Sequence, residues 1–193
     1  MAAARDTRDM RLRQACESDL TVVAALLQAL GYVEGGGDSL AAVLEMTLHR
    51  PDMALFLAVE RGGTALGMLG LSQRPQLQLG GMLVSIDTLA VRADARGRGV
   101  GRRLMRRARA YARLHHAVRI EVHTTRAREN YRRGFYPANG YQEANSALFR
   151  YEISHTAVRY DQAVGETAPV TDDEARMRDD RGTRATENLS ERP

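Results

Sequence analysis

At 193 residues with 44% hydrophobic side chains, the chain is long enough for one domain whose core needs no disulfide or metal. All 28 basic residues are arginine, and the formal net charge is +4. The lone cysteine, Cys16, excludes an internal disulfide, and no run approaches the roughly 18 apolar residues of a membrane span.

Met10 to Gln14 alternates apolar and polar residues and reads as a first strand. Ser18 offers an N-cap for a helix running to Leu30, where Gly31 stops it. This helix carries the best candidate for a signal segment, Leu20 to Leu30. Asp6, Asp9, Glu17 and Asp19 precede it and no small-residue cleavage site follows, so a cytoplasmic protein is expected. Cys16 reads as a small buried hydrophobe, since the electropositive setting and histidine partner of a catalytic thiol are missing.

A glycine-rich loop containing Glu34 follows, and Asp38 or Ser39 caps a second helix, Leu40 to Arg50, closed by Pro51. Met53 to Glu60 and Ala65 to Gln73 form a hairpin, and the Gly80-Gly81 turn leads into the apolar strand Met82 to Val91. An arginine-glycine loop then precedes a helix from about Val100 to Leu114, whose buried stripe is Leu104, Ala108, Tyr111 and Ala112. Val118 to Thr124 alternates as a strand, Arg126 to Tyr136 is a short helix ended by Pro137, and Gly140 to Ile153 closes with two short strands.

The order is β-α-α-β-β-β-α-β-α-β-β, which predicts an α/β (α+β type) domain over residues 1–160. Its sheet is central and mostly antiparallel, with about four helices flanking it. Residues 161–193 hold nine acidic residues against five arginines, netting −4 and leaving +8 on the rest. This polar, acidic tail is expected to be disordered. The basic body suits an anionic ligand.

The loop Arg96-Gly97-Arg98-Gly99-Val100-Gly101 sits between a strand and a helix. Glycines there let main-chain N–H groups approach a ligand, and the helix aims its unpaired donors and positive dipole end at the same place. A diphosphate fits that arrangement. A dinucleotide fingerprint would need G-x-G-x-x-G inside a βαβ unit; the spacing fails, and the preceding hairpin is expected to break that context. No G-K-[S/T] exists for a nucleoside-triphosphate loop.

Arg96-x-x-Gly99-x-Gly101 resembles the R/Q-x-x-G-x-G/A signature of the GNAT superfamily, the acetyl-CoA-dependent N-acetyltransferases. Ile86-x-x-Leu89-x-Val91 looks like the strand ahead of it, and Phe135-Tyr136-x-x-x-Gly140-Tyr141 is similar to the family's helix-four element. The resemblance spans roughly Met10 to Ile153.

It implies a GNAT-like fold and an N-acetyltransferase that moves an acetyl group from acetyl-CoA to a primary amine of a small molecule or peptide. Direct attack in a ternary complex is implied, because no cysteine lies near the motif. The cofactor pyrophosphate would rest on the loop, Arg96, Gly97, Arg98, Gly99, Val100, Gly101 and Arg102, with Arg102 or Arg103 reaching the 3′-phosphate. The pantetheine arm would pair with the main chain of Leu89, Ala90 and Val91, where a bulge and a splay from the next strand free main-chain donors. An N–H near Leu89 would polarise the acetyl carbonyl. Asn130 resembles the residue that holds the pantetheine arm.

An ammonium must lose a proton before it attacks, and Asp87 is the first candidate base; Glu121 and water remain alternatives. Tyr136 holds the place of the tyrosine that protonates the departing thiolate, with Tyr131 in reserve. Pro137 places Tyr136 at the end of its helix and Gly134 loosens the preceding turn, two departures from the family pattern. A non-catalytic acyl-CoA-binding regulatory module is the alternative function.

The arginines at 102, 103, 106, 107, 109 and 113 lie opposite the Leu104 stripe, as on a solvated helix face, and no nucleic-acid motif accompanies them. His115, His116 and His123 lack ligand-spaced partners, so no metal site is expected. No nucleic-acid or membrane partner is expected, and a homodimer stays open. The acceptor amine would meet the first two helices and their connecting loop, where Glu34 and Asp38 could attract a cation.

Overall fold

The structure is a computed structural model that describes residues 10–31 and 37–149. Two compact units divide the chain, 1–144 and 145–193, and every described strand and helix lies in the first.

Apolar runs at strand spacing pair in chain order to make a five-stranded sheet. β1 (Arg11–Gln14), β2 (Met53–Val59), β3 (Ala65–Gln76) and β4 (Gly81–Val91) are each antiparallel to the next. β5 (Ala117–Val122) lies parallel to β4. From Ala54 onward β2 is buried on both faces, because helices cover both sides of the sheet.

One side packs against α1 (Leu20–Gln28) and α2 (Gly37–His49), where Val23, Leu26 and Leu44 meet Leu57, Met68 and Ala90. The other packs against α3 (Val100–Leu114), where Leu104, Met105 and Ala108 meet Phe56, Leu69, Val84 and Ile86. All four stripe residues expected on α3 are buried, and Val100 and Met105 join them. Leu104 is fully enclosed, so truncating it to alanine would cost about 2–5 kcal/mol.

Several expectations needed correcting. Ser18 is not a cap: the Cys16 N–H donates to Asp19 Oδ2 (2.9 Å), and Asp19 holds Arg13 with two bonds of 2.6 Å. Cys16 is exposed rather than buried, with Sγ 3.3 Å from the Asp19 carboxylate. α2 begins at Gly37, so Asp38 and Ser39 lie inside it instead of capping it. β4, α3 and β5 do form a parallel β-α-β unit, which the preceding hairpin does not prevent.

α4 is only Glu129–Arg132, because Gly134 at φ +64° turns the chain out of the helix. Residues 141–149 form no strand, and the rest of the expected closing pair, 150–153, lies outside the described residues, as do Glu34 and the acidic tail.

The feature that shapes the site is a bulge in β4. Gly70 pairs with Thr88 and Leu71 with Ile86, leaving Asp87 as the extra residue. Before the bulge Val84 and Ile86 face the α3 side; after it Leu89 and Val91 do, while Ala90 faces α1 and α2. The extra residue has shifted the strand's alternation by one position. Pairing with β5 also ends at Ile86 and Val122, so β4 runs on from Asp87 to Val91 without that neighbour.

Candidate functional site

Beyond β4 a 3₁₀ turn, Ala93–Ala95, leads to Arg96, and Gly97 and Gly99 take φ values of +74° and +83°. A side chain there costs about 1–2 kcal/mol per residue, which is why glycine stands at both. Gly99 immediately precedes α3. The Arg103 N–H returns to the Gly99 carbonyl (3.1 Å), so the amides of Val100, Gly101 and Arg102 are the donors that a helix N-terminus leaves unpaired. They border a cavity of about 810 Å³. Leu89 and Val91 of β4, Asn130 of α4 with its neighbours, and Ala29 and Leu30 beyond α1 complete the walls.

The loop arginines are held by carboxylates. Arg92 binds Asp94 at 2.6 and 2.8 Å, and Arg96 lies 3.8 Å from Glu129, which also takes a hydrogen bond from Arg133. Arg98 donates to Glu60 Oε1 at 2.8 Å, the most sheltered of these pairs, with 18% and 28% of the two side chains exposed. Glu60 opens the β2–β3 turn, its N–H bonded to the Thr64 carbonyl (2.9 Å). Arg98 thus ties the glycine loop to that hairpin. Arg102 is exposed at the cavity.

Asn130 lines the cavity, and its Nδ2 donates to Tyr136 Oη at 3.0 Å. Tyr136 is 8% exposed and stands behind Asn130 rather than among the lining residues. Tyr131 points elsewhere: its hydroxyl donates to Glu143 Oε2 (2.8 Å), and that bond pushes its phenol pKa up. Glu143 is held below the usual carboxylate range by Tyr131 and then Arg126.

Asp87 is exposed in the bulge, at the point where β5 departs, and does not line the cavity. Ala90 is buried on the opposite face of the strand from Leu89 and Val91. Glu121 sits across from Ser85 in the β4–β5 register, 3.5 Å from Arg119. Cys16 is not at the cavity.

Sequence reasoning passed over Glu60, Glu129, Arg133, Ala29 and Leu30. Glu60 is 38 positions from Arg98, so no local pattern linked them. Among the described residues no cluster could hold a metal ion, and no helix is long and apolar enough to cross a membrane.

A sheet splayed beside a helix N-terminus, with a glycine loop supplying free amides, defines an α/β protein with a site for an anionic ligand. The match to a family model is specific: the Acetyltransferase (GNAT) family covers residues 20–141, more than half of the chain. The protein belongs to the GNAT acetyltransferase family.

Solved structures agree on the fold. A transcriptional regulator from Bacillus halodurans C-125 superposes with a TM-score of 0.68 at 23% identity, covering 74% of this chain and 99% of its own. The aminoglycoside acetyltransferase meta-AAC0020, from an uncultured soil metagenomic sample, gives 0.65 at 18% identity, covering 76% and 97%. AAC(6')-Iy, solved with the bisubstrate analogue CoA-S-monomethyl-acetylneamine, gives 0.65 at 20%, covering 75% and 99%. No curated protein matches the chain.

Proposed function

We propose that the protein is an N-acetyltransferase that moves an acetyl group from acetyl-CoA to a primary amine of a small molecule or peptide. Members of its family use acetyl-CoA. The observation that carries the reading is one cavity bordered both by the amides of Val100, Gly101 and Arg102 and by the unaccompanied end of β4. The amides meet a diphosphate with partial positive charge and three donors. The extended stretch Leu89–Val91 offers main chain to the pantetheine arm as an added strand, with an N–H near Leu89 to stabilise the developing oxyanion.

Attack is direct. Cys16 lies away from the cavity, its Sγ 3.3 Å from the Asp19 carboxylate, and no other cysteine exists to carry an acyl group. Asp87, exposed in the bulge, takes the proton that makes the amine nucleophilic, with Glu121 and water as its competitors. Tyr136 returns a proton to the departing sulfur.

Calorimetry with acetyl-CoA tests the cofactor: the wild type binds, and Gly99→Asp abolishes binding by placing bulk and negative charge at the pyrophosphate. No heat with the wild type overturns the reading. A screen of amines for CoA thiol release tests the chemistry; tight binding without transfer to any amine would identify an acyl-CoA-binding module instead.

A further inference from the structure

The amide of Asn130 has an orientation its neighbours decide. A backbone N–H can only donate, and that of Tyr131 lies 2.9 Å from one terminal atom of the Asn130 side chain, which must be Oδ1. The same N–H is shared with the Arg128 carbonyl at 3.1 Å, which leaves its polarity unchanged. The other terminal atom is therefore Nδ2, a donor, and it stands 3.0 Å from Tyr136 Oη. The phenol oxygen accepts, so the phenol proton is directed elsewhere. A carbonyl in the place of Nδ2 would draw that proton inward.

The surrounding turn holds both side chains. The Asn130 carbonyl accepts from the Phe135 N–H (3.0 Å), and the Tyr136 carbonyl accepts from Asn139 and Tyr141 (2.9 and 3.1 Å). The Phe135 ring meets the Tyr136 ring edge-on at 5.4 Å. Asn130 also keeps a second N–H, on the side chain that lines the cavity.

We infer that Asn130 is the positioning residue that keeps the Tyr136 proton available to the leaving sulfur and stabilises the phenolate left behind. This rests on the reading of Tyr136 as the proton donor. In the step, the deprotonated amine forms its bond to the acetyl carbon and the carbon–sulfur bond breaks, its electron pair passing to sulfur. The phenol proton moves from Tyr136 Oη to sulfur. The nitrogen, cationic once its bond to carbon has formed, gives its second proton to solvent as the amide forms. The phenolate, held by the Asn130 N–H, takes one proton back from solvent.

Asn130→Asp separates polarity from shape. It keeps an acceptor for the Tyr131 N–H but replaces the donor to Tyr136 with a carboxylate oxygen. The expected result is a fall in kcat of about 10- to 100-fold, with a much smaller change in the Kd for CoA. Asn130→Ala, which lacks both groups, slows turnover by about tenfold. In a Tyr136→Phe background neither substitution slows the enzyme further, because the proton they act on is gone. A wild-type kcat in Asn130→Asp overturns the inference, as does an undiminished effect in the Tyr136→Phe background. If Tyr136→Phe itself turns over at the wild-type rate, the proton-donor reading falls and takes the inference with it. If Tyr136→Phe is slow and Asn130→Asp is not, the inference alone falls.

Discussion

Replacing Glu60 by glutamine keeps the shape of the β2–β3 corner and removes the charge that holds Arg98. Both side chains are partly sheltered, at 28% and 18% exposure, and lie 2.8 Å apart. Exposed pairs contribute about 0–1 kcal/mol, and removing one partner of a fully buried pair costs about 3–5 kcal/mol. This pair falls between, so a coupling of about 1–2 kcal/mol is expected.

Two effects on CoA then oppose each other. The loop loses its anchor to the hairpin, while the freed guanidinium can turn to the phosphates. A solvated arginine–phosphate contact returns at most about 1 kcal/mol, and re-ordering even one loop residue costs about 1–2 kcal/mol. The loss wins narrowly, and Glu60→Gln is expected to weaken CoA binding about two- to fivefold. Urea unfolding of Glu60→Gln, Arg98→Met and the double variant measures the coupling, and calorimetry measures the affinity. A coupling below about 0.3 kcal/mol, within the scatter of independent sites, together with unchanged or tighter CoA binding would refute the reasoning.

Asp19 is held well below the usual carboxylate range, chiefly by the Arg13 guanidinium, with the Cys16 N–H adding to it. A depressed folded value makes its contribution complete above the unfolded value, near about 3.9, and lost as pH falls toward the folded one. Asp19→Asn should therefore destabilise the protein by about 2 kcal/mol at pH 7, with the gap to wild type closing below about pH 4 in urea titrations. Gly101→Ala tests how tightly α3 meets the α4 side. A Cβ there would lie 3.0 and 3.1 Å from Phe135 ring atoms. Alanine gains about 1 kcal/mol in helix propensity, but crowding costs about 1–3 kcal/mol; a lower Tm and weaker CoA binding are expected, and a Tm above wild type would contradict the packing.

What the sequence determined by itself is whatever is written in local spacing. The helical stripe of Leu104, Ala108, Tyr111 and Ala112 has no other way to bury its apolar face, and α3 forms where that stripe predicts. Gly97 and Gly99 announced the loop because positive φ angles favour glycine at those two turns. Ends of elements were less legible: α4 stops at Arg132 because Gly134 breaks it, well before the Pro137 that marked the expected end.

Tertiary structure alone decided the rest. Asp87 became a bulge residue only once Gly70 and Leu71 took Thr88 and Ile86 as partners across the sheet. Glu60 found Arg98, and the Asn130 amide found the Tyr136 phenol, through closures that bring distant or differently oriented backbone together. Strand and helix periods come from the geometry of neighbouring residues, so a linear reading contains them. Register, ion-pair partners and the direction of a proton depend on which groups meet after the chain has closed on itself, and that information is not local.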